Sequence, residues 1–330
     1  MGDGRISKTH QNLMAKEINY DDMVLRLCDC FHGVGQKEKI LVSNLALVTN
    51  EQIRSKILPK FNDKFGKQLL GQIQAETQGE LRKLLTLLLE SRYKNWTTLI
   101  EWACKNSKRY PQLITRVLSL VDQQDRFKIV QAFNSKNEQA SNALGQAGAR
   151  QIRTTDSDAY MRIFGDVKDE YMLMYVRAIM MNDEQITEMG VQQFVLDCKD
   201  KIPAFRVFRY LVTMDTPMFR KFSALFKEDM KLDFLVFIQR FHGSIFELVK
   251  VHVTALENPV LQVAEILRFC VENNEQQVLM LTTAIFRDYH NVNIDVIYKQ
   301  KYGSLATAVR QNQWNSYRDA LLRFWGVIWF

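Results

Sequence analysis

The chain reads as all-α, built from four copies of one helical unit, and three features of the sequence carry that expectation. Only 5 prolines and 14 glycines occur in 330 residues, and Leu, Lys, Gln and Glu, which favour helix, are abundant. Apolar residues recur at helical spacing in successive stretches. Two marker positions repeat four times: cysteines at Cys30, Cys104, Cys198 and Cys270, spaced by 74, 94 and 72 residues, and aromatics at Phe61, Phe133, Phe222 and Tyr298, spaced by 72, 89 and 76. In both series the middle interval is the longest, which places an extra linker between the second and third copies.

Taken in order, residues 1–19 are polar without periodicity and read as a tail or a strap. Residues 20–92 form the first unit. Met23, Val24, Leu27, Cys28 and Phe31 fall on one helix, and Ile40, Leu41, Asn44, Leu45, Leu47 and Val48 on the next. Between them, Gly33-Val34-Gly35 gives a loop free to take positive φ and turn its carbonyl oxygens outward. Asn50-Glu51-Gln52-Ile53 reads as a cap followed by a helical run, and Gln78-Gly79 breaks the chain before an apolar helix from Leu81 to Leu89. The unit is thus about five short helices.

Residues 93–168 make the second unit, with Trp96, Leu99, Ile100 and Ala103 on its first helix and Leu113, Ile114, Val117, Leu118 and Leu120 on its second. Ile129, Val130 and Phe133 continue it, 145–155 is an irregular connection, and 156–167 the closing helix. Residues 169–256 hold the linker and the third unit, with 168–187 expected as a long inter-repeat segment. Phe194, Val195, Phe205, Val207, Phe208, Leu211 and Val212 are its apolar positions. Asp215-Thr216-Pro217 is a helix start, a cap followed by proline in the first turn. Gly243-Ser244 interrupts before Phe246, Leu248 and Val251. Residues 257–330 are the fourth unit, from Pro259 through Val263, Ile266 and Leu267 to Leu321, Leu322, Phe324 and Trp325.

The first unit resembles an annexin repeat. Gly33-Val34-Gly35 stands at that family's calcium loop between its first two helices, Thr49 to Arg54 is similar to the start of the third, and Phe65 to Leu70 to the next junction. Glu76-Thr77-Gln78-Gly79-Glu80-Leu81-Arg82-Lys83 matches the loop before the fifth helix, where the calcium-binding carboxylate lies. The resemblance implies four repeats of about five helices each in a curved disc. It also implies a calcium ion held by the carbonyls of Phe31, Gly33 and Gly35 and the side chain of Glu76, its other positions filled by water or a lipid phosphate oxygen. Calcium accepts such mixed oxygen shells. Read on residues alone, the two glycines are equally a tight turn and Glu76 a solvated acid.

The other three units depart from the family at this loop. Lys105-Asn106-Ser107-Lys108-Arg109, Lys199-Asp200-Lys201-Ile202-Pro203 and Val271-Glu272-Asn273-Asn274 stand where glycines would be, and the matching acid is missing from the third and fourth. Asp156 and Asp158 suit a lesser site or helix capping. Lys105, Lys108, Arg109, Lys199 and Lys201 are candidate contacts to anionic lipid headgroups, each basic group near such a surface contributing about 1 kcal/mol. The competing reading is a solvated charged face.

The net charge of +7 favours polyanions without choosing among them. No apolar run reaches bilayer length and the N-terminus has no apolar signal core, so the expectation is a cytoplasmic protein peripheral on the inner face of the plasma membrane. Met1-Gly2 invites myristoylation, but Ile6 stands where Ser or Thr is preferred. The five histidines are scattered, no nucleophile motif or phosphate-cradling loop is present, and catalysis is not expected. Cys28 and Cys30 point to two sides of a helix and make a poor zinc pair, and one cysteine per repeat argues against disulfides. Trp314 suits contact with the headgroup layer or packing against a neighbouring loop, and the apolar end Phe324 to Phe330 suits packing over the core or an interaction patch.

The function implied is calcium-influenced binding to phosphatidylserine-like membrane surfaces. Loss of glycines is also similar to the alpha-giardins, divergent protist annexins tied as a group to plasma membrane and microtubule or flagellar cytoskeleton. The alternative is a helical-repeat scaffold binding acidic cytoskeletal or other proteins without lipid. No nucleic-acid-binding motif is present.

Overall fold

The computed structural model describes residues 18–32, 37–122, 125–133, 135, 164–180, 186–200, 202–312 and 315–328, and among these all regular structure is helical. The chain divides into two compact units, Met1–Asn95 with Val263–Phe330, and Trp96–Gln262. The outer quarters of the sequence therefore share one unit and the inner quarters the other.

Helix α1 (Tyr20–His32) starts where Asn19 Oδ1 accepts the Asp21 and Asp22 N–H groups, and α2 (Lys37–Ala46) packs on it. Helix α3 (Asn50–Gln52) opens on a capping box: Thr49 Oγ1 accepts the Gln52 N–H at 3.1 Å and Gln52 Oε1 accepts the Thr49 N–H at 2.9 Å. The cap is Thr49 rather than Asn50, because Asn50 is turned inward and buried. A π-helical turn (Ile53–Ile57) leads into α4 (Leu58–Phe65), which ends on Gly66 at φ 59°, a conformation glycine adopts without a Cβ clash. Then follow α5 (Leu69–Glu76) and α6 (Gly79–Leu89). Leu27, Ile57, Phe61, Ile73, Leu84 and Leu85 bury the shared face of these helices.

Helix α7 (Arg92–Lys105) contains the boundary between the two units. In the second unit, α8 (Pro111–Leu118) begins with proline in its first turn and buries Leu113, Ile114, Val117 and Leu118, and residues 125–133 are helical. Within the expected inter-repeat segment 168–187 runs α9 (Glu170–Met180). Met172, Tyr175, Val176 and Ile179 are buried at i, i+3, i+4, i+7 spacing, and the helix packs on α11 (Ala204–Val212). Helix α10 (Glu188–Lys199), lying between them in sequence, is capped by Thr187.

The third repeat continues with α12 (Thr216–Met230), whose cap Asp215 accepts the Met218 N–H at 2.8 Å, and α13 (Phe234–Phe241), capped by Asp233. A 3-10 turn (Gly243–Ile245) precedes α14 (Phe246–Glu257). Its core is aromatic: Phe194 stacks on Phe222 at 4.5 Å and Phe234 meets Phe222 edge-on at 4.9 Å, geometries that match the ring quadrupoles.

Helix α15 (Pro259–Glu272) returns the chain to the first unit. The fourth repeat then departs from the expected pattern, since α16 (Gln276–Tyr302) is a single helix of 27 residues where the first repeat has two helices and a break. Within it, the Asp288 carboxylate accepts the Asn50 N–H at 2.8 Å, at the start of α3. Helices α17 (Leu305–Asn312) and α18 (Asn315–Phe324) follow, and α18 packs on α2 and α6.

Candidate functional site

Helix α1 ends at His32 and α2 begins at Lys37, so the turn that joins them, with Gly33 and Gly35, lies outside the described residues. Phe31 lies before it. Its buried ring meets Phe61 edge-on at 6.2 Å, which anchors the last turn of α1 to α4. The acid arrives from the other side. Glu76 is the last residue of α5, and the next residue, Thr77, is buried, with its hydroxyl donating to Ile73 O at 2.6 Å. Arg82 Nε donates to Thr77 O at 2.6 Å, and Gly79 opens α6 at φ 56°. The chain around Glu76 is thus held at fixed points while its carboxylate stays half-exposed.

That carboxylate reaches back to the start of α2, where Lys37 Nζ donates to Glu76 Oε2 at 3.2 Å across 39 residues of sequence. The predicted acid thus meets the first residue of α2, while Gly33 and Gly35 lie outside the described residues. A cation from the chain itself already stands on it, which the sequence reading missed although Lys37 lies two positions past Gly35. The expected donor set, carboxylate and main-chain oxygen, is the kind that suits a hard cation. A cavity of about 420 Å³ adjoins it, lined by Lys37, Lys39, Glu76, Ser316, Asp319 and Arg323. At its floor the buried Arg323 guanidinium donates to Ser43 Oγ, and burial lowers its pKa. Among the described residues no group of three or more His, Cys, Asp or Glu side chains is gathered to hold a metal.

The basic turns of the second unit differ from one another. After α7, Asn106 Nδ2 donates to Trp102 O at 2.9 Å and Tyr110 N–H to Asn106 O at 2.8 Å, while Trp102 stacks on Tyr110 at 6.1 Å. The Arg109 guanidinium lies 4.8 Å from the Tyr110 ring centroid. This ordered turn presents Lys105 and Lys108 as exposed ammonium groups that form no ion pair with a described residue. The turn after α10 is different: Lys199 Nζ is 2.6 Å from Asp229 Oδ2, and Asp197 accepts from the Tyr210 hydroxyl at 2.9 Å and pairs with Arg206 at 3.4 Å. The third repeat spends its cations on its own acids. Lys201, Asp156, Asp158, Trp314, Trp329 and Phe330 lie outside the described residues.

The buried cysteines and His252 are core residues. All five cysteines carry free thiols, four of them buried, and burial pushes Cys104 and Cys198 up to about 12, so they stay protonated and inert. His252 is buried, with Nδ1 accepting from the Tyr175 hydroxyl at 2.9 Å and Nε2–H donating to Leu211 O at 3.2 Å. Burial drops its pKa to about 4, which makes it a neutral hydrogen-bonding core residue. Among the described residues no helix is long and apolar enough to cross a membrane.

Comparison with known proteins places these features. The annexin family model matches residues 22–88. Across the chain, the structure is similar to calcium-bound annexin (Sm)1, at 16% sequence identity and TM-score 0.75, covering 94% of this chain and 91% of that one. It is similar to annexin III at 15% identity and TM-score 0.72, covering 94% and 95%. Calcium-bound alpha-1 giardin matches at 16% identity and TM-score 0.68, covering 94% and 100%. No curated protein sequence matches.

Proposed function

We propose, for a chain that has the annexin fold across its length and an annexin repeat at residues 22–88, that it attaches peripherally to anionic phospholipid surfaces under the influence of calcium. In the first repeat, the Glu76 carboxylate and the main-chain carbonyls of Phe31, Gly33 and Gly35 would hold the ion. When bound, calcium supplies a positive bridge to a lipid phosphate oxygen. In the second repeat, Lys105, Lys108 and Arg109 meet headgroups directly, each contributing about 1 kcal/mol at an anionic surface. Lys199, engaged by Asp229, contributes less, and Lys201 is the other candidate of the third repeat.

The observation that carries this reading is the Lys37–Glu76 contact, in which the acid meets the first residue of α2 from 39 residues away. It is an ionic contact at a half-exposed site, the arrangement in which a divalent ion competes with an ammonium.

Sedimentation with phosphatidylserine or phosphatidylcholine vesicles, with and without calcium, tests the proposal. Pelleting with phosphatidylserine alone, strengthened by calcium and weakened in Glu76→Gln, is expected. Failure to pellet with either lipid, together with co-pelleting on microtubules, would replace it with the lipid-free scaffold.

A further inference from the structure

The turn between α7 and α8 carries a serine that neither the calcium loop nor the repeat core uses. Ser107 stands in the run Lys105-Asn106-Ser107-Lys108-Arg109, with a basic residue two positions before it and others one and two positions after it. From Trp102 to Val121 the sequence contains no acid. The Ser107 side chain is half-exposed, and its hydroxyl has no hydrogen-bond partner among the described residues. Ser55 also has basic neighbours, Arg54 and Lys56, but its hydroxyl donates to Glu51 O at 2.8 Å from within the π-helical turn.

The turn is placed where an enzyme can take hold of it. Helix α7 ends at Lys105 and α8 begins at Pro111, so Ser107 lies outside both. Its main-chain bonds are short in range: Asn106 N–H donates to Trp102 O, Ser107 N–H to Cys104 O and Arg109 N–H to Asn106 O. The flanking helices are held by buried Ala103, Cys104, Leu113 and Ile114, so the turn can open without unpacking them. Opened, it is a serine in a cationic peptide, the form that a kinase with an acidic substrate groove recognises.

In space the charge around Ser107 is balanced. Lys108 and Lys168 line one cleft with it, and so do Asp169 and Glu247. A phosphate brings roughly two negative charges at neutral pH, enough to tip this surrounding negative and to offset Lys105 and Lys108, the exposed ammonium groups of the turn.

We propose that Ser107 is a phosphorylation site for a serine kinase that reads basic flanks, and that the phosphate withdraws the second repeat from anionic membrane. Ser107 Oγ attacks the terminal phosphorus of ATP, the new O–P bond replaces the bond to the bridging oxygen, ADP leaves, and the hydroxyl proton passes to the kinase's base. The withdrawal rests on the attachment proposed above, whereas the modification site does not.

The full, folded chain incubated with ATP, magnesium and the catalytic fragment of protein kinase C, then mapped by mass spectrometry, reads the site. Phosphate at Ser107 is expected, and none at that position in Ser107→Ala. Calcium-free binding to phosphatidylserine vesicles should weaken roughly thirtyfold on phosphorylation and about fivefold in Ser107→Glu, while Ser107→Ala binds as the unmodified wild type. Thermal melting of each form establishes that it is folded. Absence of phosphate at Ser107, or its appearance only after the chain is heated past its melting point, overturns the site. Phosphate at Ser107 with unchanged vesicle binding overturns the withdrawal. If the unmodified chain binds no vesicles, the attachment and the withdrawal both fall, and the mapped phosphate alone decides the site.

Discussion

Arg287 Nε donates to Asn50 Oδ1 at 2.6 Å, and the two buried residues lie 237 positions apart in the chain. The same guanidinium donates to Val48 O at 2.7 Å, and its carbon lies 4.7 Å from the Phe324 ring centroid. Asn50 in turn donates from Nδ2 to Ala284 O at 2.7 Å, and Asp288 caps the N-terminus of α3. The first and last quarters of the sequence are locked into one unit by these polar groups, whose geometry admits few alternatives. Burial lowers the Arg287 pKa to about 10, still above neutrality, so the charge is retained and must be matched.

Replacing Arg287 with Leu therefore removes more than a hydrogen bond. It leaves Asn50 Oδ1 and Val48 O without this donor in the interior and the Asp288 carboxylate without its cation. Breaking a buried charged network from one side costs about 3–5 kcal/mol. Urea denaturation should give a lower midpoint for Arg287→Leu, and a loss under about 1 kcal/mol would show that water takes over these contacts.

How far the sequence could be read depends on the distance over which each feature is encoded. Cys30, Cys104, Cys198 and Cys270 were legible because a small buried position near the end of each first helix repeats in register, and all four are buried. Asp215 declared its cap because the partner N–H lies three residues on. Helix α9 lies in the segment expected between repeats, and its Met172, Tyr175, Val176 and Ile179 stand at helical spacing in the sequence. Glu76 is singled out by the family motif alone, whereas its contact with Lys37, across 39 residues, leaves no periodic trace in the sequence.

Acid should loosen the second unit through His252. The folded pKa is about 4 and the ordinary value 6.5, so between these values the unfolded chain binds a proton that the native imidazole does not. Stability is present above pH 6.5 and falls as pH drops toward 4. A shift of this size corresponds to about 3 kcal/mol. Thermal melting of the wild type and His252→Gln between pH 7 and 5 checks it: the wild type should lose stability more steeply, and parallel curves would place the titration elsewhere.

Lys37 should set calcium affinity in the first repeat, because the ion must displace an ammonium already seated on Glu76. Removing that charge also removes its repulsion of a divalent ion a few ångströms away, a screened interaction of about 1–2 kcal/mol. Calcium titration by calorimetry should find Lys37→Gln roughly tenfold tighter than wild type and Glu76→Gln without measurable binding. Equal affinity in Lys37→Gln and wild type would mean that the ammonium swings clear at no cost.

The basic turns make unequal demands on a membrane. Lys105 and Lys108 are exposed without described ion-pair partners, whereas Lys199 lies 2.6 Å from Asp229 and already spends its charge there. Near an anionic leaflet each uncompensated ammonium is worth about 1 kcal/mol, and reversal to carboxylate about twice that. Calcium-free binding to phosphatidylserine vesicles should therefore weaken by roughly thirtyfold in Lys105→Glu and in Lys108→Glu, but only a few-fold in Lys199→Glu. Raising salt from 0.1 to 0.5 M should compress all three differences, since the surface potential decays within a shorter Debye length. Equal losses at the three positions would mean that the Lys199–Asp229 pair opens at the surface, and the contrast between the repeats would then lie in their shape rather than their charge.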